Sequence, residues 1–489
     1  ASVAAQGQVE LQERCPPDQE LHAMSFDVER PQPQFSRNTT ARSQCESFLS
    51  SNTRGNTFAG NSYLQTYRVD EEGDDEHLGN SSTSATAMSI ISIMIGAGVL
   101  ILPQQFIKLG TPLGCLMLAV TCWTSTYVCT TLNEAIGRVQ DRTGEKIHTL
   151  DDLALACFGT IGKRIAQFVL RASVIGKVSC YIVLIGRSLE YIMSPPSYKG
   201  WVVLSSGVFM LTAFVKSVKL LEKVSIVGMV CKAVYALPVF VGSLMAHFEA
   251  DISPASDLWR LGGAYGFSVP VEQLLPSFGL FLFGFGPIEV IATVRRNLAN
   301  QQRMPAAIAA AHIITGLFYV SVGAVGAWGF GDDVSGNITE SMQSNGSKWA
   351  TGYCLAAAVA MNLLVTIPIS LYCFFAAVTK NRKLSSAADS VLRSSVMILC
   401  ACIGLFVPYF MQVLQIFSST FKVLLTVFVP LACGVKSARD SGKPYCLGRV
   451  LLDLVLVVLG LGCFVLGLTD AIDDLIREMA KDSEAAQLM

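Results

Sequence analysis

The sequence predicts an all-α polytopic membrane protein of about eleven transmembrane helices. Three observations predict it. Of 489 residues, 52% are hydrophobic and 15% charged, where soluble chains carry about 25% charged residues. From residue 85 onward, apolar runs of about 20 residues follow one another, the length that crosses a bilayer. The loops between them carry their lysines and arginines on alternate sides, as membrane insertion sorts them.

Residues 1–82 stand apart. They are rich in Gln, Ser, Asn and Arg and close with the acidic run Asp70-Glu71-Glu72-Gly73-Asp74-Asp75-Glu76. Such a stretch buries too little apolar surface to offset its ordering entropy, so a disordered cytoplasmic tail is expected. The transmembrane domain is expected over 83–470, with a short tail at 471–489. The apolar runs place spans near 85–107, 111–136, 163–193, 200–216, 220–246, 273–294, 305–331, 349–378, 391–410, 412–435 and 447–468. With the N-terminus inside, the inner loops hold Arg138, Arg142, Lys163, Arg295, Arg296, Lys380, Lys436 and Arg449 among others. The outer loops hold little more than Lys108, Arg187, Lys199, Arg260 and Lys348. The C-terminus then lies outside or in a lumen, and so does the 332–348 loop. That loop carries two glycosylation sequons, at Asn337 and Asn345.

The bulk numbers also exclude. Net charge is −1, so no global field favours nucleic acid. The 15 cysteines scatter through apolar runs without a CxxC pair, and the five histidines do not cluster. Neither a disulfide framework nor a metal centre is expected. No nucleophile–base group stands out, so an enzyme is not expected and no cofactor is implied.

Two spans carry helix breakers in corresponding places. Span one reads SIMIGAGVLILP, with Gly96 and Gly98 in its middle and Pro103 after them. Span six, five spans later, reads FGLFLFGFGPIEVIATV, with Gly284, Gly286 and Pro287 at its centre. Interruptions at matching positions of two halves point to a transporter binding site between inverted repeats. Spans 1–5 and 6–10 are then the repeats, and span eleven an addition. Unwound backbone is tolerated in a membrane only beside a cavity or ligand. The N–H groups at Gly96, Ala97 and Gly98 would face a carboxylate at a helix N-terminus. Carbonyls freed at the end of the first half of span six, around Gly284, would face an ammonium. Together they would hold the two ends of an α-amino acid. Phe283 and Phe285 would flank the substrate side chain, where the alternative is ordinary packing in a membrane span. The competing reading is that these glycines only let helices approach.

In order along the chain, IGAGVLILPQQFIKLG, HTLDDLALACFGTIGKRI, CYIVLIGRSL, FYVSVGAVGAWGFGDDVSGNI, LLVTIPISLY and LFVPYF resemble segments of the amino acid/auxin permease family. That family is a branch of the amino acid–polyamine–cation superfamily with the LeuT-type fold. The resemblance covers roughly 83–468. It implies a 5+5 inverted repeat with spans one and six discontinuous, and secondary transport of amino acids driven by protons or sodium. It implies Tyr181 as a donor to the substrate carboxylate, where the alternative is packing, and keeps the family's span-eight threonine at Thr366. It departs at Ser92, where many sodium-coupled relatives carry Asn, and at Ile288, where a His is often found.

Charges at membrane depth are costly and usually functional. Lys177 precedes Tyr181 by one helical turn. Lys232 lies midway along span five, Glu289 just past the break of span six, Lys422 in span ten and Asp453 in span eleven. By the resemblance, a span-five lysine stands where sodium sits in other members, so Lys232 is a candidate coupling residue with Ser92, Thr366 and Glu289. The alternative for Lys232 is a pair with a carboxylate such as Glu289. Asp453 is expected to be structural. The expected function is secondary active transport of amino acids, neutral ones, coupled to protons in preference to sodium. The alternative is an amino acid sensor of transporter fold. Expected partners are the substrate and the bilayer of a plasma membrane or a vacuolar or lysosomal membrane.

Overall fold

In the computed structural model, the described residues are 81–214, 230–232, 234, 236–249, 269–331, 334, 336–344, 350–379, 385–407, 409–442 and 445–488. The expected N-terminal tail, Asn345 and parts of spans four and five lie outside them. Among the described residues the chain is helical, apart from loops and one isolated bridge between Ser81 and Leu298.

Span one is Thr83–Met94 followed by Ala97–Leu109, bent by 54° at the join. Ser82 starts it, its hydroxyl accepting the Ala85 N–H at 3.2 Å. Ile95 and Gly96 are extended, so the helix stops at Met94. It resumes as a 3₁₀ turn at Ala97–Ile101 and as α-helix at Leu102–Leu109, with Pro103 in the first turn, where its missing N–H is harmless. Span two is Thr111–Thr143 and span three belongs to Leu150–Ile192, kinked at Gly159 with φ 68°. Span four is described over Tyr198–Ala213, and span five over Val230–Phe248.

Span six is two helices, Val271–Gly284 and Ile288–Asn297, parted at Phe285–Pro287. Span seven is Met304–Phe330, span eight Ala350–Thr379 and span nine Ser386–Phe406. The chain ends one helix at Phe406 and starts the next at Phe410, so spans nine and ten are separate. Span ten runs Phe410–Asp440. It contains two π-helical stretches, Ser418–Lys422 and Leu424–Phe428. Among the described residues, nine helices are each long and apolar enough to cross a membrane, and the bent first pair makes a tenth. With the shorter helix Tyr198–Ala213 of span four, these are compatible with the eleven expected spans.

The last helix continues over Leu447–Leu488, through the segment expected as a tail at 471–489. The apolar run ends near 468, but the residues after it are good helix formers with i,i+3 ion pairs, such as Lys481–Glu478 at 2.8 Å.

The exterior of the bundle stays apolar, with Phe168, Leu317 and Phe406 each more than half exposed. That is a surface for lipid. Charged residues counted to the inner loops meet at one end of the bundle. Arg142 pairs with Asp440 at 2.8 Å and Arg449 with Glu134 at 2.8 Å. Arg295 donates to the Asn133 carbonyl at 3.0 Å. At the same end Ser81 N–H donates to the Asn297 carbonyl at 2.9 Å and Ala299 N–H to the Ser81 carbonyl at 3.1 Å. The start of span one is thereby tied to the end of span six.

Candidate functional site

The two breaks meet. A Cβ added to Gly98 would lie 3.3 Å from the Gly284 Cα and 3.3 Å from the Phe283 ring. A side chain there would press on the Gly284 backbone, which would have to give by a few tenths of an ångström, so the close approach of the breaks favours glycine. Beside this contact lies a cavity of about 90 Å³, several times the room of about 10–15 Å³ that one water needs.

Span one contributes Ser92, Ile95, Gly96 and Gly98 to the cavity wall. Span six contributes Phe283, Gly286 and Glu289. Lys177 and Tyr181 come from span three, Lys232 from span five, Thr366 and Ser370 from span eight, and Lys422 from span ten. The expected residues Ser92, Gly96, Gly98, Tyr181, Lys232, Phe283, Glu289 and Thr366 are thus brought to one place.

Three expected substrate residues are not in that wall. Ala97 is 2% exposed and Phe285 0% exposed, and Gly284 is buried against Gly98. Residues that alternate around a break point in different directions, so adjacency in sequence did not make them neighbours of the cavity. Phe285 instead packs edge-on to Tyr319 with ring centroids 5.1 Å apart and stacks on His312 at 6.2 Å.

The donor side of the break in span one faces this cavity. The residues that open the 3₁₀ turn precede any carbonyl of their own turn, and of them Gly96 and Gly98 line the cavity. The Tyr181 hydroxyl lies against the same backbone, 3.3 Å from where a Cβ on Gly96 would stand. A carboxylate there would meet backbone donors and a phenol together.

The acceptor side is arranged differently. Carbonyls freed at both breaks already receive protein donors. Tyr319 Oη donates to the Met94 carbonyl at 2.7 Å and approaches the Gly284 carbonyl at 3.3 Å. The Ser125 hydroxyl donates to the Phe285 carbonyl and lies 2.9 Å from His312 Nε2. Lys422 Nζ donates to the Gly286 carbonyl at 2.8 Å. Lys232 Nζ donates to the Ser92 carbonyl at 2.8 Å. Thr366 donates to Asn362 Oδ1 at 3.2 Å.

Glu289 is held by two lysines, neither of them Lys232. Lys422 Nζ is 3.0 Å from one carboxylate oxygen and Lys177 Nζ 3.5 Å from the other. Ser173 adds a hydroxyl at 3.4 Å. Gly286 makes room for this cluster, because a Cβ there would fall 2.2 Å from Lys422 Cε. The π-helical stretch that ends at Lys422 shifts the register of span ten and leaves that lysine facing the cavity. Lys177 and Lys422 are visible in the sequence as charges in apolar runs. Their convergence on Glu289 is not, because it depends on how three separate helices pack. Nor does a lone His in span seven announce a contact with span two.

Away from the cavity, Asp453 accepts from Tyr127 and from Tyr445, each at 2.5 Å, which fits the structural role expected of it. Asn337 is the sequon asparagine that falls among the described residues. It is 1% exposed, and its Oδ1 accepts the Thr339 N–H at 3.0 Å beside the start of the helix Ile338–Ser344. No group of metal-ligating side chains occurs among the described residues.

Known proteins agree with this architecture. The fold resembles MhsT solved in complex with L-phenylalanine, with a TM-score of 0.55 at 11% identity over 81% of this chain and 99% of that one. It resembles the inward-facing conformation of Mhp1 equally, with 0.55 at 12% identity over 83% and 92%. At such identity the likeness speaks for the fold alone. In sequence, the chain is 22% identical to the amino acid transporter AVT1E of Arabidopsis thaliana, over 81% of this chain and 74% of that protein. It is 24% identical to vacuolar amino acid transporter 5 of Schizosaccharomyces pombe, over 58% and 66%. Residues 79–473 match the family described as transmembrane amino acid transporter protein, from just before the first span to beyond the last. With its two broken spans, their shared cavity and that match over most of its length, this chain belongs to the transmembrane amino acid transporter family.

Proposed function

We propose that the chain is a secondary active transporter that carries amino acids across its membrane by alternating access, driven by protons in preference to sodium. The observation that carries this reading is the meeting of the two breaks at Gly98 and Gly284 beside one polar cavity. The α-carboxylate would sit on the backbone at Gly96 and Gly98 and on the Tyr181 hydroxyl, which line the cavity together. Each charge-assisted bond of that kind contributes about 1.5–3 kcal/mol. Access would alternate by rocking one helix bundle against the rest around this site.

Coupling to protons rests on Lys232. Its ammonium occupies the Ser92 carbonyl, a backbone oxygen that a bound cation would otherwise use. A lysine can give up its proton where sodium would have to leave. Ser92 and Thr366, the short hydroxyl side chains beside it, would tune that position. The surplus of ammonium groups in the cavity opposes cationic substrates and leaves neutral and acidic ones. The vacuolar name of the fission-yeast relative supports a vacuolar or lysosomal membrane. The gathering of Arg138, Arg142, Arg295 and Arg449 at one end supports a cytoplasmic N-terminus and a lumenal C-terminus.

The test is uptake by purified protein in liposomes, with proton and sodium gradients imposed separately. Labelled amino acid should accumulate against its gradient when the proton gradient is present, and Lys232→Ala should abolish that dependence. Accumulation that follows sodium instead would overturn the coupling assignment. Binding without flux under either gradient would make the protein a sensor.

A further inference from the structure

A helix break in a bilayer frees carbonyls, and each needs a donor. Met94 closes the first half of span one, and Gly284 closes the first half of span six. Among the described residues no backbone N–H reaches either carbonyl. One side chain serves both. Tyr319 Oη, from span seven, is 2.7 Å from the Met94 carbonyl and 3.3 Å from the Gly284 carbonyl. A phenol has a single proton to donate. At these distances it goes to Met94, and Gly284 has the weaker share.

The ring is held so that this choice stays open. Tyr319 is 1% exposed and packs edge-on to Phe285. A Cβ on Gly284 would fall 2.9 Å from Tyr319 Cε2, so glycine leaves the ring its place beside span six. Turning the O–H bond passes the proton from one carbonyl to the other without moving the ring.

The two carbonyls differ in what else can reach them. Met94 lines the cavity, whereas Gly284 is packed against Gly98. Around Gly96 the Met94 carbonyl and the Tyr181 hydroxyl stand side by side. A Cβ there would be 4.0 Å from the first and 3.3 Å from the second. An acceptor and a donor about one point suit the ammonium and the carboxylate that an α-amino acid carries on one carbon.

Resting on the transporter reading, we infer that Tyr319 is a positioning residue that yields the Met94 carbonyl to the substrate ammonium and turns its own donor to Gly284. No covalent bond breaks in this step. Before it, one proton is divided between two acceptors; after it, each carbonyl has a donor of its own. The exchange also reports a ligand on span one to span six, whose break gains a donor when the substrate arrives. A ligand without an ammonium leaves Tyr319 on Met94 and sends no such signal.

The experiment is proteoliposome uptake under a proton gradient with labelled L-alanine, L-leucine, L-glutamine and L-glutamate, read as KM and maximal rate. In Tyr319→Phe the ammonium displaces no protein donor. KM should fall about two- to tenfold for each amino acid the wild type carries, the worth of one neutral hydrogen bond. The maximal rate should fall as well, because span six no longer gains its donor on binding. 3-Fluorotyrosine at position 319 is a more acidic phenol and a stronger donor. It should raise KM, because the bond it strengthens most is the shorter one to Met94. An unchanged or higher KM in Tyr319→Phe, whatever its thermal stability, would make Tyr319 a packing residue and overturn this inference, with the transporter reading left standing. Should Tyr319→Phe not fold, the fluorotyrosine protein decides alone, and an unchanged KM there overturns the inference. Absence of uptake of all four amino acids by the wild type would overturn the transporter reading, and this inference with it.

Discussion

The two helix breaks look alike in sequence and serve differently in the structure. In span one the backbone itself faces the cavity, through Ile95, Gly96 and Gly98. In span six the backbone carbonyls are taken up by Ser125, Tyr319 and Lys422, and the cavity receives mainly side chains, Phe283 and Glu289. One break offers its own polar groups to a ligand. The other is sealed by protein and presents a charge cluster. A pair of glycine-rich interruptions therefore marks where a site is, without saying which chemistry each half supplies.

Substitutions at the two breaks can separate these roles. The largest effect is expected at Glu289→Gln. It leaves the Lys177 and Lys422 charges without a carboxylate inside the bundle. Breaking a buried pair in this way costs about 3–5 kcal/mol. Thermal unfolding in detergent should fall markedly and uptake should be lost. A variant with wild-type stability would show that the cluster does not hold span six in place.

Gly98→Ala comes next. Its methyl meets the Gly284 Cα at 3.3 Å and the Phe283 ring at 3.3 Å. Overpacking of this kind costs about 1–3 kcal/mol. Uptake should fall more steeply than stability, because the methyl crowds the donors meant for the carboxylate. Normal uptake with lowered stability would reduce the glycines to packing residues. The smallest effect is expected at Thr366→Val. It removes one partly buried hydrogen bond to Asn362, worth about 0.5–1.5 kcal/mol. Stability should barely change. An altered response to the proton gradient in that variant would draw span eight into the coupling position beside Lys232.

Much of this was legible along the chain. Apolar runs placed the spans because a bilayer sets their length. The breaks could be read because glycine and proline are the residues that weaken a helix. Charges in apolar runs named Lys177, Lys232, Glu289 and Lys422 as functional candidates. What could not be read was who meets whom. Lys232 goes to the Ser92 carbonyl, and Glu289 to Lys422 and Lys177, because the π-helical register of span ten turns Lys422 inward. Ala97, Gly284 and Phe285 belong to the breaks, yet they point away from the cavity. Each of these outcomes depends on direction, which a linear pattern does not carry.

The pairing of Ser81 with Asn297 and Ala299 has a mechanical consequence. Two backbone hydrogen bonds, of 2.9 and 3.1 Å, rivet the entrance of the first broken span to the exit of the second. While they hold, those ends travel as one part.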